Sequence, residues 1–268
     1  MNSMFWQDIP YIILSFFVGT LVGMTGVGGG ALMTPLLILF FGIQPCQAVG
    51  TDLVVIFITK IFGSIVHHRK NNINKKILFC LCSGSFPASV CASFYLYFNP
   101  NIAKKNGLIY LIIGIVVVLT SIGMLLTRLL KHPLQDQNSL VNDFNHKQKF
   151  FTILTGVLIG TIVTFTSIGA GVLGMLVLFL LYSSRVGMNQ LVGTDIAHSL
   201  PLTFVAGIGH VLMGDVNFHL MSILLVGSIP GILLGSNLTG YFSNKKLNLL
   251  VSLMLFITGA KLILIYYK

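Results

Sequence analysis

The sequence carries very little charge and contains no glutamate. Only 8% of its 268 residues are charged and 55% are hydrophobic, whereas soluble domains carry about 25% charged residues. Its six acidic residues are all aspartates. A long chain with repeated apolar runs and so few charges is typical of a polytopic membrane protein. We therefore predict an all-α, multi-pass protein of the lipid bilayer rather than a soluble domain.

The chain also lacks the patterns that indicate a disulfide framework, a metal site or a nucleic-acid surface. Its four cysteines fit neither a disulfide framework nor the spacing of zinc ligands. The formal net charge of +10 comes from Lys and Arg that lie mostly between apolar runs, as orienting charges do. We therefore expect no cofactor, no metal ion and no nucleic-acid partner.

Apolar runs and the polar breaks between them predict ten helices in two halves. The only long polar stretch, residues 131–149, indicates a cytoplasmic linker between half 1 (residues 1–130) and half 2 (residues 150–268). Pro10 is placed in the first turn of the first helix, where proline is tolerated. The predicted helices cover about 10–24, 30–41, 45–66, 77–98, 106–130, 150–165, 172–181, 188–211, 218–241 and 247–267.

An internal repeat relates the two halves. Val49-Gly50-Thr51-Asp52 recurs 143 residues later as Val192-Gly193-Thr194-Asp195. A repeated block that contains an aspartate is informative because ionisable residues are rare in membrane segments. Further matches occur at the same interval, namely His67 with His210, Asn74 with Asn217, and Gly84-Ser85-Phe86-Pro87 with Gly227-Ser228-Ile229-Pro230.

A glycine-rich break interrupts the first apolar segment of each half. Three consecutive glycines each destabilise a helix by about 1 kcal/mol relative to alanine. Broken backbone is tolerated inside a membrane only where protein or a water-filled cavity receives it, and the helix that restarts there offers N–H groups and a positive dipole end to an anion. The two breaks, Gly26–Gly30 and Ser167–Gly171, align at an interval of 141. The predicted anion site comprises Gly28, Gly29, Gly30, Ala31, Gly169, Ala170, Gly171 and Val172, with hydroxyl donors from Thr51 and Thr194.

The distribution of Lys and Arg predicts the orientation of the chain. Eleven of them fall on one side of the predicted bundle and three on the other, and the richer side is cytoplasmic by the positive-inside rule. Both termini are then outside the cell (inner) membrane. The first half starts outside and the second starts inside, so the repeats are inverted. Inverted repeats with broken helices are the architecture of secondary transporters, whose substrate lies at the repeat interface.

Four ionisable side chains of the predicted helices are candidates for a role in transport. Asp52 and Asp195 are interpreted either as proton-binding or gating carboxylates or as tethers for the backbone at the breaks. Lys60 either supplies a positive charge to the anion or extends to the cytoplasmic surface. His198 shares a helix face with Asp195, and it either carries a proton with that residue or is a structural histidine.

Two further histidines, His67 and His210, end equivalent helices on opposite sides of the membrane. They either gate the pathway or are stabilised as cations by the helix C-termini. The favoured function is a proton-coupled carrier of a small anion. The alternatives are a cation or metal carrier that uses Asp52, Asp195 and the histidines, and an intramembrane enzyme. The lack of glutamate and of a ligand cluster disfavours the cation carrier, and the lack of a Gly-x-Ser-x-Gly motif disfavours the enzyme.

Taken together, these motifs resemble the sulfite exporter TauE/SafE family of membrane anion transporters. The resemblance extends from about Gly19 to Leu262. It implies a multi-pass carrier of sulfite or another sulfur oxyanion or organosulfonate, coupled to the proton gradient. It leaves open which anion is carried, in which direction, and whether the carrier is a homodimer. The motifs that carry it are Gly23-x-x-Gly26-Val27-Gly28-Gly29-Gly30, Pro35 and Ala48-Val49-Gly50-Thr51, with second copies at Gly169-x-Gly171 and Val192-Gly193-Thr194.

Overall fold

The computed structural model is helical throughout the residues it describes, which are 2–25, 30–69, 71–99, 106–129, 145–169, 171–183, 185–238 and 244–267. These ranges contain ten α-helices and no strand, which confirms the predicted all-α class. The helices are α1 (Asn2–Thr25), α2 (Gly30–Phe41), α3 (Pro45–Arg69), α4 (Lys75–Phe98), α5 (Asn106–Leu129), α6 (His146–Thr166), α7 (Val172–Tyr182), α8 (Met188–Leu212), α9 (Phe218–Asn237) and α10 (Asn244–Tyr266).

Among the described residues, six helices are long and apolar enough to cross a bilayer, namely α4, α5, α6, α8, α9 and α10. Large apolar side chains cover their outer faces, for example Phe79 on α4, which is 76% exposed, and Leu212 on α8, which is 72% exposed. Exposed apolar surface of this extent is unusual for a soluble monomer and is expected where the outer face contacts lipid. The chain is therefore an integral, multi-pass membrane protein.

Three helix boundaries differ from the sequence-based ones by four residues or more. Helix α1 begins at Asn2, so Pro10 lies inside it rather than in its first turn; membrane helices tolerate such prolines because neighbouring groups satisfy the freed carbonyl. Helix α6 begins at His146, so residues 146–149 of the predicted linker belong to it. The backbone N–H of Asn145 donates to Gln148 Oε1 (3.4 Å), one half of a capping box. Helix α9 ends at Asn237, earlier than predicted.

Close glycine contacts join α1 to α9 and α4 to α6. Gly227 on α9 packs against the backbone carbonyl of Ile12 on α1, and Gly84 on α4 packs against the carbonyl of Ile153 on α6. A side chain at either glycine would overlap that carbonyl, so the two backbones approach this closely only because the residue is glycine. Gly84 and Gly227 are related by the 143-residue interval, and Ile12 and Ile153 by the 141-residue interval. The two helix pairs, each of which runs parallel, are therefore equivalent contacts.

Two antiparallel pairs, α3 with α8 and α5 with α10, complete the bundle. Gly50 near the start of α3 lies against His210 near the end of α8. Further along the same pair, the rings of Phe57 and Phe204 are tilted against each other with centroids 5.2 Å apart. Each of these pairs joins one helix to its counterpart in the other half. In these two pairs, the halves therefore contact each other through equivalent helices.

Each half begins with a helical hairpin that returns to its own end of the bundle. In α1 and α2, the ring of Tyr11 stacks on that of Phe41 with centroids 4.1 Å apart. In α6 and α7, Thr152 Oγ1 and Tyr182 OH lie 2.6 Å apart and share a hydrogen bond. The 141-residue interval relates Tyr11 to Thr152 and Phe41 to Tyr182. The second glycine-rich break therefore lies at the turn of a hairpin that packs within the bundle, and residues 26–29 of the first break lie outside the described residues.

Candidate functional site

Asp52 on α3 holds two other elements together inside the protein. Its side chain is 1% exposed, and its Oδ2 accepts hydrogen bonds from Thr34 Oγ1 on α2 and from Ser167 Oγ at the second break, both at 2.6 Å. The two hydroxyl oxygens lie 2.9 Å apart. Distances of 2.5–2.7 Å are typical of hydroxyl groups that donate to an ionised carboxylate. Of the two interpretations of Asp52, these contacts support the tether.

The second break is a buried turn with left-handed backbone. Ser167 has φ 59° and Gly169 has φ 115°, and the Ser167 N–H still donates to the carbonyl of Val163 (2.7 Å). Helix α7 restarts at Val172, where the Gly174 N–H donates to the Gly169 carbonyl (3.2 Å). The N–H groups that precede Gly174 belong to the first turn, which has no intrahelical acceptors. These are the donors that the sequence predicted for an anion.

Not all residues of the predicted anion site belong to the described part of the chain. Gly30 and Ala31 begin α2, and Ala31 is buried. Gly169, Gly171 and Val172 form the second break and the start of α7. The remaining three predicted positions, Gly28, Gly29 and Ala170, lie outside the described residues.

Asp195 on α8 is also buried, with 5% of its surface exposed, but its surroundings differ from those of Asp52. No hydroxyl group among the described residues donates to Asp195, and its Oδ1, like that of Asp52, has no hydrogen-bond partner there. That oxygen lies against the backbone of Gly174, where an added Cβ would overlap it. Lys60, which is partly buried on α3, is near enough to act on the Asp195 carboxylate electrostatically, although no direct ion pair joins the two among the described residues. Of the two roles considered for Lys60, this interaction supports that of a charge inside the protein.

His198 lies one turn after Asp195 and is fully buried. Its Nε2 lies 2.8 Å from Ser85 Oγ on α4, and the two groups share a hydrogen bond. Its Nδ1 has no partner among the residues that the structure describes. Lys60 interacts electrostatically with His198 as well as with Asp195. The structure therefore brings Lys60, Asp195, His198 and Ser85 into one cluster, which we call the Lys60 cluster.

The two repeated threonines bind backbone groups across the repeat interface. Thr51 Oγ1 accepts a hydrogen bond from the Asn217 N–H (3.1 Å), and Thr194 Oγ1 accepts one from the Asn74 N–H (2.9 Å). Thr194 Oγ1 also donates to the carbonyl of Gln190 (2.6 Å). Asn217 directly precedes α9 and Asn74 directly precedes α4. Each threonine therefore stabilises the start of a helix in the other half. Their predicted contact with an anion stays a prediction.

His210 is bonded at both ring nitrogens and is 3% exposed. Its Nε2 lies 2.9 Å from the Thr164 carbonyl, to which it donates, and its Nδ1 lies 3.2 Å from Asp215 Oδ2. These contacts join the end of α8 to α6. The side chain of His67 lies outside the described residues. Within the described part, no three His, Cys, Asp or Glu side chains come together as metal ligands would. A gating role for either histidine stays a prediction.

Sequence reasoning missed three hydroxyl groups of the site. Thr34 and Ser85 are absent from the predicted site, and Ser167 enters the sequence analysis only as the first residue of the second break. Thr34 lies in an apolar helix where one threonine carries no signal by itself. Ser85 belongs to a Gly-Ser-x-Pro block that occurs in both halves. This repetition of a polar residue within an apolar helix could have indicated that Ser85 belongs to the site. Contacts between elements far apart in the sequence could not be inferred for either residue.

Comparisons with known proteins identify a family and several relatives. The model of a family described as Sulfite exporter TauE/SafE matches residues 11–262. The Probable membrane transporter protein YjnA of Bacillus subtilis (strain 168) is 40% identical over 258 residues, which cover 96% of this chain and all of that protein. The Probable membrane transporter protein MJ0441 of Methanocaldococcus jannaschii is 27% identical over 94% of each chain. No solved structure matches the chain at a significant level.

Proposed function

Because the chain belongs to the sulfite exporter TauE/SafE family of membrane transporters, we propose that it is a secondary carrier of a small anion. It is a transporter and not an enzyme. The anion is sulfite or another sulfur oxyanion or organosulfonate, and its movement across the cell membrane is coupled to protons. The family description supplies the sulfur oxyanion as the first substrate to test. The binding site lies where the breaks of the two halves meet the bundle.

The buried break between α6 and α7 is the observation that carries this proposal. Ser167 and Ile168 are 3% and 0% exposed, so the chain interrupts a helix deep inside the protein. The first turn of α7 presents backbone N–H groups and the positive end of a helix dipole there. Lys60 adds a positive charge to the same interior through its interaction with Asp195 next to Gly174. The start of α7 favours an anion over a cation, and in our proposal a proton on Asp195 removes the carboxylate charge that opposes the anion.

An inverted repeat explains how such a site opens alternately to the two sides. The ion pair of Asp8 with His219 (3.4 Å) joins the starts of α1 and α9. Gln148 Nε2 donates to the carbonyl of Leu181 (3.2 Å), which joins the start of α6 to the end of α7. The parallel and antiparallel helix pairs put these two junctions at opposite ends of the bundle. In our proposal the Asp8 end faces outside and the Gln148 end faces the cytoplasm, with the linker.

Uptake by proteoliposomes tests this function. We would reconstitute the purified protein and measure uptake of labelled sulfite, thiosulfate and a short sulfonate, with and without an imposed pH gradient. One anion is expected to be taken up faster with the gradient, and unlabelled sulfite should compete. Asp8→Asn serves as a control, because Asp8 forms its ion pair with His219 at the start of α1, away from the breaks. Absence of uptake of all three anions by folded protein would overturn the proposal.

A further inference from the structure

The two buried aspartates are equivalent in the repeat but have different partners. The 143-residue interval relates Asp52 to Asp195. Asp52 Oδ2 accepts from Thr34 and Ser167. The 141-residue interval places Met175 where Thr34 would be and Gly26 where Ser167 would be. Neither of these side chains can donate a hydrogen bond to a carboxylate. Asp195 therefore lacks the counterparts of both hydroxyl donors that hold Asp52.

The asymmetry is reversed for charged partners. Lys60 interacts electrostatically with Asp195, and its counterpart at the 143-residue interval is Thr203. Thr203 Oγ1 donates to the carbonyl of Ser199 on its own helix (2.8 Å) and offers no charge. Asp52 thus has two hydroxyl donors and no cationic counterpart of Lys60. Asp195 has the charge of Lys60 nearby and no hydroxyl donor among the described residues, whereas an Oδ1 without a partner is common to both aspartates.

The same difference extends to the neighbouring histidine. His198 shares a hydrogen bond with Ser85 in the Lys60 cluster. Its counterpart is Val55, and the counterpart of Ser85 is Ser228, whose hydroxyl has no partner within the described ranges. The elements packed around Asp195 contribute Lys60 from α3, Gly174 from α7 and, through His198, Ser85 from α4. A histidine one turn after the aspartate is therefore present on α8 and absent from the equivalent position of α3.

We propose that the two aspartates have separate roles, Asp52 as a clamp on the second break and Asp195 as the residue that exchanges the transported proton. Lys60 is the counter-ion of the Asp195 carboxylate when the site is empty. An anion that enters binds Lys60 in place of the Asp195 carboxylate. Asp195 then binds a proton, because Lys60 no longer neutralises the negative charge of its carboxylate. Proton and anion consequently bind together and move in the same direction. This inference rests on the proposed anion transport.

The test compares matched variants in proteoliposomes with labelled sulfite as the probe. Two readouts are needed, uptake driven by a pH gradient and exchange of labelled for unlabelled sulfite at equal pH. In Asp195→Asn the ratio of uptake with the gradient to uptake without it is expected to fall to about 1, because a protein that no longer binds the proton cannot respond to it. Exchange of sulfite is expected to continue.

In Asp52→Asn both rates are expected to fall by the same factor, so the response to the gradient is kept. Loss of that response in Asp52→Asn, or its retention in Asp195→Asn, would overturn the division of roles while leaving anion transport intact. If the wild type takes up no sulfite, thiosulfate or sulfonate, the transport proposal fails and this inference fails with it. The two failures are therefore distinguishable.

If an Asn variant does not fold, variants that keep the carboxylate still test the proposal. Asp195→Glu is expected to shift the pH of half-maximal uptake by about half a unit or more, since moving the carboxyl group changes its distance from Lys60. Asp52→Glu is expected to leave that pH unchanged. Lys60→Met is expected to raise the sulfite concentration for half-maximal uptake, and Thr203→Val, its matched control, is not. A shift in Asp52→Glu without one in Asp195→Glu would contradict the assignment.

Discussion

Replacement of Thr34 by valine removes one hydroxyl from the Asp52 clamp and preserves the shape of the side chain. The Thr34 Oγ1 to Asp52 Oδ2 distance of 2.6 Å is typical of a bond to an ionised group. Hydrogen bonds to charged groups contribute about 1.5–3 kcal/mol, whereas interhelical bonds in membrane proteins average about 0.6 kcal/mol. Because the acceptor here is an ionised carboxylate, we use the value for charged groups and expect Thr34→Val to lower the free energy of unfolding by about 1.5–3 kcal/mol.

Reversible unfolding in mixed detergent micelles, followed by circular dichroism, measures this loss. Thr203→Val is the matched control, because Thr203 is buried and its hydroxyl donates only to carbonyls of its own helix. It is expected to change stability by no more than about 0.5 kcal/mol. In an Asp52→Asn background, the effect of Thr34→Val should shrink, since the two residues interact directly. Equal losses in Thr34→Val and Thr203→Val would refute the clamp.

Two further predictions concern packing and orientation. Gly160→Ala is expected to destabilise the protein by about 1–3 kcal/mol in the same unfolding assay, because the added methyl group would overlap the Ser85 carbonyl. Gly123→Ala should be close to neutral, since its nearest neighbour, a Leu176 methyl group, would lie 3.4 Å away, and a neutral Gly160→Ala would contradict the close contact. In a variant without native cysteines, Asp8→Cys is expected to react with an impermeant thiol reagent on intact cells and Lys147→Cys only after permeabilisation. The reverse pattern would contradict the orientation that the charges predict.

Much of the fold could be predicted because the sequence repeats itself. Apolar runs predicted all ten helices, and the 143-residue interval predicted which ones are equivalent. Equivalent residues do make equivalent contacts, as Thr51 and Thr194 show with Asn217 and Asn74. The helix ends were less accurate where polar residues precede an apolar run. At His146 a turn of charged and polar residues is helical, although its composition is that of a linker.

The chemistry of the site was predicted less completely, because it depends on contacts between distant elements. Asp52 and Asp195 were given the same two possible roles, since the residues around them in the sequence are alike. The structure separates them through Thr34, Ser167 and Lys60, none of which adjoins either aspartate in sequence. A repeat in sequence thus predicts where the two half-sites are. It does not predict how far their surroundings have diverged.

The most direct test of the account is to locate the bound anion. Selenite has the shape and charge of sulfite, and its selenium atom can be located by anomalous scattering in crystals of the protein grown with it. The account predicts selenium between the starts of α2 and α7, with oxygens about 3 Å from backbone N–H groups and within reach of Lys60. Selenium bound elsewhere, with these helix starts empty at saturating selenite, would contradict the claim that the broken helices hold the anion.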